Sequence, residues 1–276
     1  MVHEQHERIF RTGSKTYYFS SRFFPPAVRD DVYALYGFVR VADNLVDELP
    51  VDPELFHAFR RRYASAWESG SASGDRIIDT FIELQRRKLF DPAWTEAFLD
   101  SMEHDLVKSS CDSLEETLSY IYGSAEVIGL FMARIMDLPD ESHPAAAMLG
   151  RAMQYINFIR DIAEDNALGR RYLPLQGTTL SSLSREQALA HPGEFIRFIK
   201  GEITRYREWQ REAARGYRYI PKRYRIPIMT AADMYCWTSR QIERNPLVVF
   251  ERRVKPRKFR ILRKGVAHTL GVAFGC

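Results

Sequence analysis

Four aspartates in this chain form two i, i+4 pairs, Asp43 with Asp47 and Asp161 with Asp165. Each pair ends a line of polar side chains: Tyr36, Arg40, Asp43 and Asp47 in DDVYALYGFVRVADNLVDE, and Gln154, Asn157, Asp161 and Asp165 in MLGRAMQYINFIRDIAED. At 3.6 residues per turn these spacings return to nearly one angular position, so each line is expected on one face of one helix. Around the first line Val32, Leu35, Phe38, Val39, Val41, Leu45 and Val46 are apolar on almost every other side, which marks a core helix. Carboxylates on such an element are desolvated, a cost that only counter-charge offsets. Arg40 and Arg160 supply some of it, and a metal ion is the natural remainder.

Paired carboxylates without His or Cys are hard oxygen ligands suited to Mg²⁺ or Mn²⁺. Mg²⁺ takes one or two protein carboxylates and completes its shell with water and phosphate oxygens, so two such pairs on facing helices would cage a diphosphate. Asn157 adds a neutral oxygen one turn before Asp161, and Arg40 and Arg160 place bidentate phosphate donors beside the pairs. A single Asp-x-x-x-Asp also occurs on solvated faces, and an Arg beside an Asp also makes a structural bridge; two copies on apolar helices favour the metal. Other centres fit worse. A di-iron bundle needs Glu-x-x-His on two helices, and the chain offers only Glu54 to His57. Neither a GxGxxG turn after a strand nor a Walker A sequence occurs.

The elements that must position these residues are helical almost throughout, because apolar residues recur at helical spacing and alternating runs are too short for a sheet. Helices are expected near 26–48, 52–69, 75–89, 92–108, 113–137, 143–167, 193–219, 225–244 and 256–270. Pro25-Pro26, Asp91-Pro92, His143-Pro144, His191-Pro192 and Asn245-Pro246 supply breaks. The segment LGRRYLPLQGTTLSSLS after Asp165 loses helical period; it either closes over a site or is a surface connection. With 276 residues, no long Gly/Ser/Pro linker and no internal repeat, one all-α domain is expected, with a basic C-terminal segment over 251–276.

The net charge of +4 is modest, and its densest run, FERRVKPRKFRILRKG, is expected as a solvated surface, with attraction to phosphate or an anionic membrane as the alternative. Nucleic-acid binding would need aromatic interleaving or a recognised module. Cys111, Cys236 and Cys276 are odd in number and far apart, so neither a disulfide framework nor a zinc site is indicated, and a reducing cytoplasm fits. The start MVHEQHERIF has no signal-type apolar core, and no run approaches the roughly 20 apolar residues of a membrane span. The expectation is a cytoplasmic protein, peripheral at a membrane at most.

Five stretches, GSKTYYFSSRFFPP, VYALYGFVRVADNLVDE, YIYGSAEVIGLFMARIM, QYINFIRDIAEDNALGRRYLP and AADMYCWTSRQIE, resemble the squalene/phytoene synthases in order and spacing over most of the chain. The resemblance implies an isoprenoid-synthase helical bundle with a central apolar cavity, acidic motifs facing each other at its mouth, and Mg²⁺ bridging them to substrate diphosphates. It carries Asp43, Asp47, Asn157, Asp161 and Asp165 over as Mg²⁺-site residues, the four aspartates and Tyr172 being catalytic. Gly13, Ser14, Lys15, Thr16, Tyr36, Arg40, Gln154, Arg160 and Tyr235 become substrate-diphosphate contacts, with Tyr172 and Arg253 closing the same pocket. Two positions depart from the family pattern: Gly13 stands where many members have His, and Cys111 where many have Tyr.

The implied activity is head-to-head (1-1′) condensation of two prenyl diphosphates through a cyclopropylcarbinyl diphosphate, with geranylgeranyl diphosphate going to phytoene as the first reading. Ser20 and Ser21 would leave depth for a C20 chain. The alternative is a squalene or dehydrosqualene synthase using farnesyl diphosphate, with NADPH required for squalene. An alternative of another class is a non-catalytic member acting in assembly or lipid binding. Tyr120, Tyr122, Phe19, Tyr33 and Phe158 are candidate cavity residues, although for any single one plain core packing is the first reading, since aromatics at helical spacing generally fill cores. The basic run and the tail VAHTLGVAFGC are a candidate membrane contact, suggested by a water-insoluble product.

Overall fold

A computed structural model describes residues 4–48 and 50–269, apart from the side chains of Glu4, Lys15 and Thr16. The chain enters through two short helices that periodicity had not indicated, α1 (Glu4–Gly13) and α2 (Lys15–Ser21), the second capped by the Ser14 hydroxyl on the Tyr17 amide at 3.4 Å. The first acid-bearing helix, α3 (Pro26–Asp47), starts with proline in its first turn and has Val32, Leu35, Phe38 and Val46 buried. Next come α4 (Pro53–Ser69), α5 (Arg76–Lys88) and α6 (Pro92–Val107), whose N-termini are capped by Asp52, Asp75 and Asp91.

The expected helix over 113–137 is α7 (Leu114–Ile121) and α8 (Val127–Ile135) joined through a π-helical turn at Tyr122–Glu126. The expected helix over 143–167 is broken: α9 (His143–Arg160) ends at Asp161, whose φ of −101° and ψ of 14° leave the helical region, and α10 (Ile162–Ala167) restarts beyond it. The second acidic line therefore spans a helix end rather than one unbroken face. The remaining helices are α11 (Arg185–Ala190), α12 (Pro192–Ala214), α13 (Lys222–Arg244) and α14 (Lys258–Thr269). Among the described residues no strand forms; one isolated bridge joins Ser110 to Arg171.

Burial divides into two apolar clusters. One gathers α1 to α6 and α8 around Phe38, which stacks on Phe81 at 3.9 Å; the other gathers α7, α9, α10, α12 and α13 around Tyr155, Ile159 and Tyr206. Tyr17 and Tyr217 pack against both clusters and mark the seam. Helices α8 and α9 approach closely enough that a Cβ at Gly129 would stand 2.1 Å from the Ala146 carbonyl oxygen, and one at Gly150 2.2 Å from that of Ala125. Cys111 is a free, buried thiol, and Cys236 is buried with the Tyr206 hydroxyl 3.5 Å from its sulfur. Among the described residues no helix is long and apolar enough to cross a membrane.

Candidate active site

Helix α3 carries the first carboxylate pair. Arg40 donates to Asp43 at 2.6 Å, and Tyr36, one turn earlier, stacks on Phe10 with its hydroxyl against Gly13. A Cβ at position 13 would fall 2.4 Å from that hydroxyl, so glycine is what lets Tyr36 and Arg40 pack against the junction of α1 and α2. Asp43 is surrounded by protein, yet 34% of its side-chain surface stays accessible. Tyr17, Tyr36 and Tyr217 combine the same strong desolvation with residual exposure. Tyr17 and Tyr217 pack on both clusters at the seam, and Tyr36 packs against the first.

The second pair sits where α9 gives way to α10. Arg160 donates to Asp161 at 2.7 Å, and Arg253, arriving from the segment before α14, donates to the same carboxylate at 2.6 Å and bridges Glu164 at 2.5 Å. Burial opposes ionisation of Asp161, but the two arginines outweigh it and hold the carboxyl below its usual range. Asp165 has no such partner. Burial, and then the charges of Asp161 and Asp47, push it up to about 8. Asp43 is likewise raised to about 7, by burial first and Asp47 second, with Arg40 only partly compensating. The two pairs thus share one field, short of positive charge. Asn157 points a buried side-chain oxygen that has no hydrogen-bond partner among the described residues, while its amide reaches Gln154 at 3.4 Å.

A hard dication fits this donor set: under-compensated carboxylates and an orphaned amide oxygen, all oxygen. Among the described residues no group of three His, Cys, Asp or Glu side chains comes together as a metal site.

Two residues that sequence reasoning missed bind the halves together. Arg170 is buried; it pairs with Asp47 and donates to the Val46 carbonyl at 2.7 Å, capping the end of α3 from across the molecule. Asp105, on α6, accepts from the hydroxyls of Tyr120 at 2.6 Å and Tyr172 at 2.9 Å. Burial lifts its carboxyl to about 6 against the pull of Arg170 and the two phenols. Lys255 also belongs here, its pKa lowered by burial and by Arg253 and Arg160. The aperiodic segment after Asp165 closes over the site: Arg171 is strapped to the Cys111 backbone by 2.8 and 2.7 Å bonds, and a small pocket is lined by Phe158, Asp165, Arg170 and Tyr172 among others.

The other expected contacts divide. Gln154, Tyr235 and Arg160 gather on the second half, with Tyr235 buried 5.9 Å from the Tyr17 ring. Ser14 is engaged as a helix cap, and the side chains of Lys15 and Thr16 lie outside the described residues. Phe158 lines the pocket and Tyr120 is buried against it and Tyr172, but Tyr122 is exposed and Tyr33 is core, packed on Phe10 and Tyr18. Phe19 lies under the Lys258 ammonium. Ser20 and Ser21 are buried and return their hydroxyls to the backbone of Tyr17 and Tyr18, so they open no depth by themselves. Cys276 and residues 270–276 of the apolar tail lie outside the described residues.

The described residues thus form an all-α bundle with one acid-bearing helix end on α3 and the other where α9 meets α10. The structure matches a dehydrosqualene synthase in complex with ligand (TM-score 0.82, 19% identity, 97% of this chain and 95% of that one) and a squalene synthase from Alicyclobacillus acidocaldarius (TM-score 0.76, 22% identity, 87% and 92%). The chain belongs to the squalene/phytoene synthase family, whose model matches residues 10–260. Similar sequences include the phytoene synthase of Cereibacter sphaeroides, 31% identical over 86% of this chain and 70% of that one, and the chloroplastic phytoene synthase 2 of Oryza sativa, 27% identical over 87% of this chain. The alignment spans 63% of the length of the rice relative.

Proposed function

We propose that this chain joins two prenyl diphosphates head to head (1-1′), taking two geranylgeranyl diphosphates to phytoene through a cyclopropylcarbinyl diphosphate. The observation that carries the reading is that the two carboxylate pairs, with Arg40, Arg160 and Arg253 beside them, lie near enough for the charge of Asp47 to raise Asp165. The C20 substrate follows the phytoene synthase relatives.

Asp43, Asp47, Asn157, Asp161 and Asp165 would hold Mg²⁺, with Mn²⁺ as a substitute; the ion, when bound, neutralises charge on the departing diphosphate. The arginines are the chain's own part of that task, with planar donors that match phosphate oxygens. Loss of diphosphate from one substrate leaves an allylic cation, which the double bond of the second attacks. Tyr172 lies flat on Phe158 at 4.4 Å and against Tyr120 at 4.9 Å, so the pocket wall offers ring faces that stabilise cations and exclude water.

The test is mass analysis of products after incubation with Mg²⁺ and labelled geranylgeranyl or farnesyl diphosphate, with and without NADPH. A C40 hydrocarbon from the C20 substrate is expected. A C30 product alone would move the reading to dehydrosqualene synthesis, or to squalene if NADPH is required. No hydrocarbon and no diphosphate release from either substrate would leave a binding or assembly role.

A further inference from the structure

Asp105 lies outside both acidic pairs, and its side chain is 4% accessible. Burying a carboxylate is costly, and a purely structural acid would be expected to take the nearby guanidinium directly. Asp105 does not. Its closest approach to Arg170 is 3.9 Å, and that guanidinium is already committed to Asp47 and the Val46 carbonyl. Its two oxygens are instead divided between two phenols, Oδ2 accepting from Tyr120 and Oδ1 from Tyr172.

An ionised carboxylate has only acceptor atoms, so each phenol must spend its single proton on Asp105. What remains on each phenol oxygen is lone pairs. The rings held this way lean together with Phe158, and Tyr172 shares the pocket wall with Asp165. A second bond, from the Thr117 hydroxyl to the Tyr172 carbonyl at 2.8 Å, fixes the backbone that carries this ring. Were either phenol free to rotate its O–H toward the pocket, it would present a positive dipole end to a cation.

We propose that Asp105 is a positioning residue for the carbocation steps: by accepting both phenol protons it fixes Tyr172 at the pocket wall, with Tyr120 held behind it, so that neither phenol can turn an O–H toward the pocket. The inference rests on the prenyl-transfer reading above and goes beyond it in assigning the polarity of the wall to one buried acid.

The test is Asp105→Asn. The amide keeps the shape, but its N–H donates to one phenol oxygen and releases that phenol's proton. The expected result is a kcat lower by roughly tenfold to a hundredfold, with KM for the prenyl diphosphate changed less than twofold. The fraction of released diphosphate matched by prenyl alcohol rather than hydrocarbon should rise several-fold, because a poorly stabilised cation lives to be captured by water. A merely structural role would reduce the amount of active protein and leave that partition unmoved; an unchanged partition in a folded variant therefore overturns the proposal. Should the variant fail to fold by circular dichroism, Tyr120→Phe and Tyr172→Phe replace it, and normal partition in both has the same force. Wild-type protein that forms no hydrocarbon from either substrate would remove the prenyl-transfer reading, and the proposal with it.

Discussion

Replacing Arg170 by methionine should cost more stability than any other single charge removal at the site, because Arg170 is the only described side chain that touches both the end of α3 and the backbone of α6. Its side chain is 9% accessible, against 4% for Asp105 and 36% for Asp47. Removing one member of a buried pair costs about 3 to 5 kcal/mol, but Asp47 is exposed enough to rehydrate and return part of that. The buried Val46 carbonyl then loses its donor, a further cost of about 1 kcal/mol. Methionine recovers some packing in the vacated channel. The sum settles near 3 kcal/mol, which for a chain of this size lowers Tm by roughly 6 to 12 °C. Thermal unfolding followed by circular dichroism measures it, with Arg170→Lys alongside: lysine keeps the charge but not the fork, and should recover about half the loss. A methionine variant melting within about 2 °C of wild type would refute the claim that this guanidinium joins the two halves.

Asp43→Asn and Asp161→Asn should each abolish turnover, Asp43→Asn leaving the melting curve close to wild type and Asp161→Asn lowering it because Arg160 and Arg253 lose their shared carboxylate, and normal activity of either at limiting Mg²⁺ would contradict the metal assignment. Gly129→Ala should destabilise by about 1 to 3 kcal/mol, since the new Cβ meets backbone rather than a side chain that can yield. Gly201→Ala, mid-way along α12 with nothing within 4 Å of the added Cβ, should stabilise by about 1 kcal/mol; the two variants compared in one urea titration test whether backbone approach decides a glycine. Away from the site, Arg207 makes two 2.7 Å bonds to Glu243 and holds its carboxyl below the usual carboxylate range. A depressed folded-state pKa contributes stability above the unfolded value and loses it as pH falls through the folded one. The gap between wild type and Arg207→Ala should therefore be constant above about pH 5 and close as the pH drops toward 3; a constant gap throughout would show that the pair contributes packing alone.

The acidic pairs were legible because two signals coincide in the sequence, an apolar helical period and a polar line that violates it. Helix boundaries at Pro26, Pro92 and Pro192 followed from proline, whose effect is confined to a few residues. The break at Asp161 could not be read this way: nothing in INFIRDIAED is a helix breaker, and the aspartate there is gripped by Arg253, whose approach from the far end of the chain no local window contains. Asp105 and Arg170 were hidden for the same reason. As single letters in MEHDLVK and LGRRYLP they look like ordinary polar residues, and only the fold shows that each is enclosed, one under two tyrosines and the other across the end of α3. A buried charge leaves a trace in sequence when the residues beside it on its own element are apolar, as around Asp43. When its enclosure comes from three distant segments, as for Arg170, composition and period carry no trace of it. Sequence therefore exposes the residues meant to meet a ligand more readily than the ones that hold those residues in place.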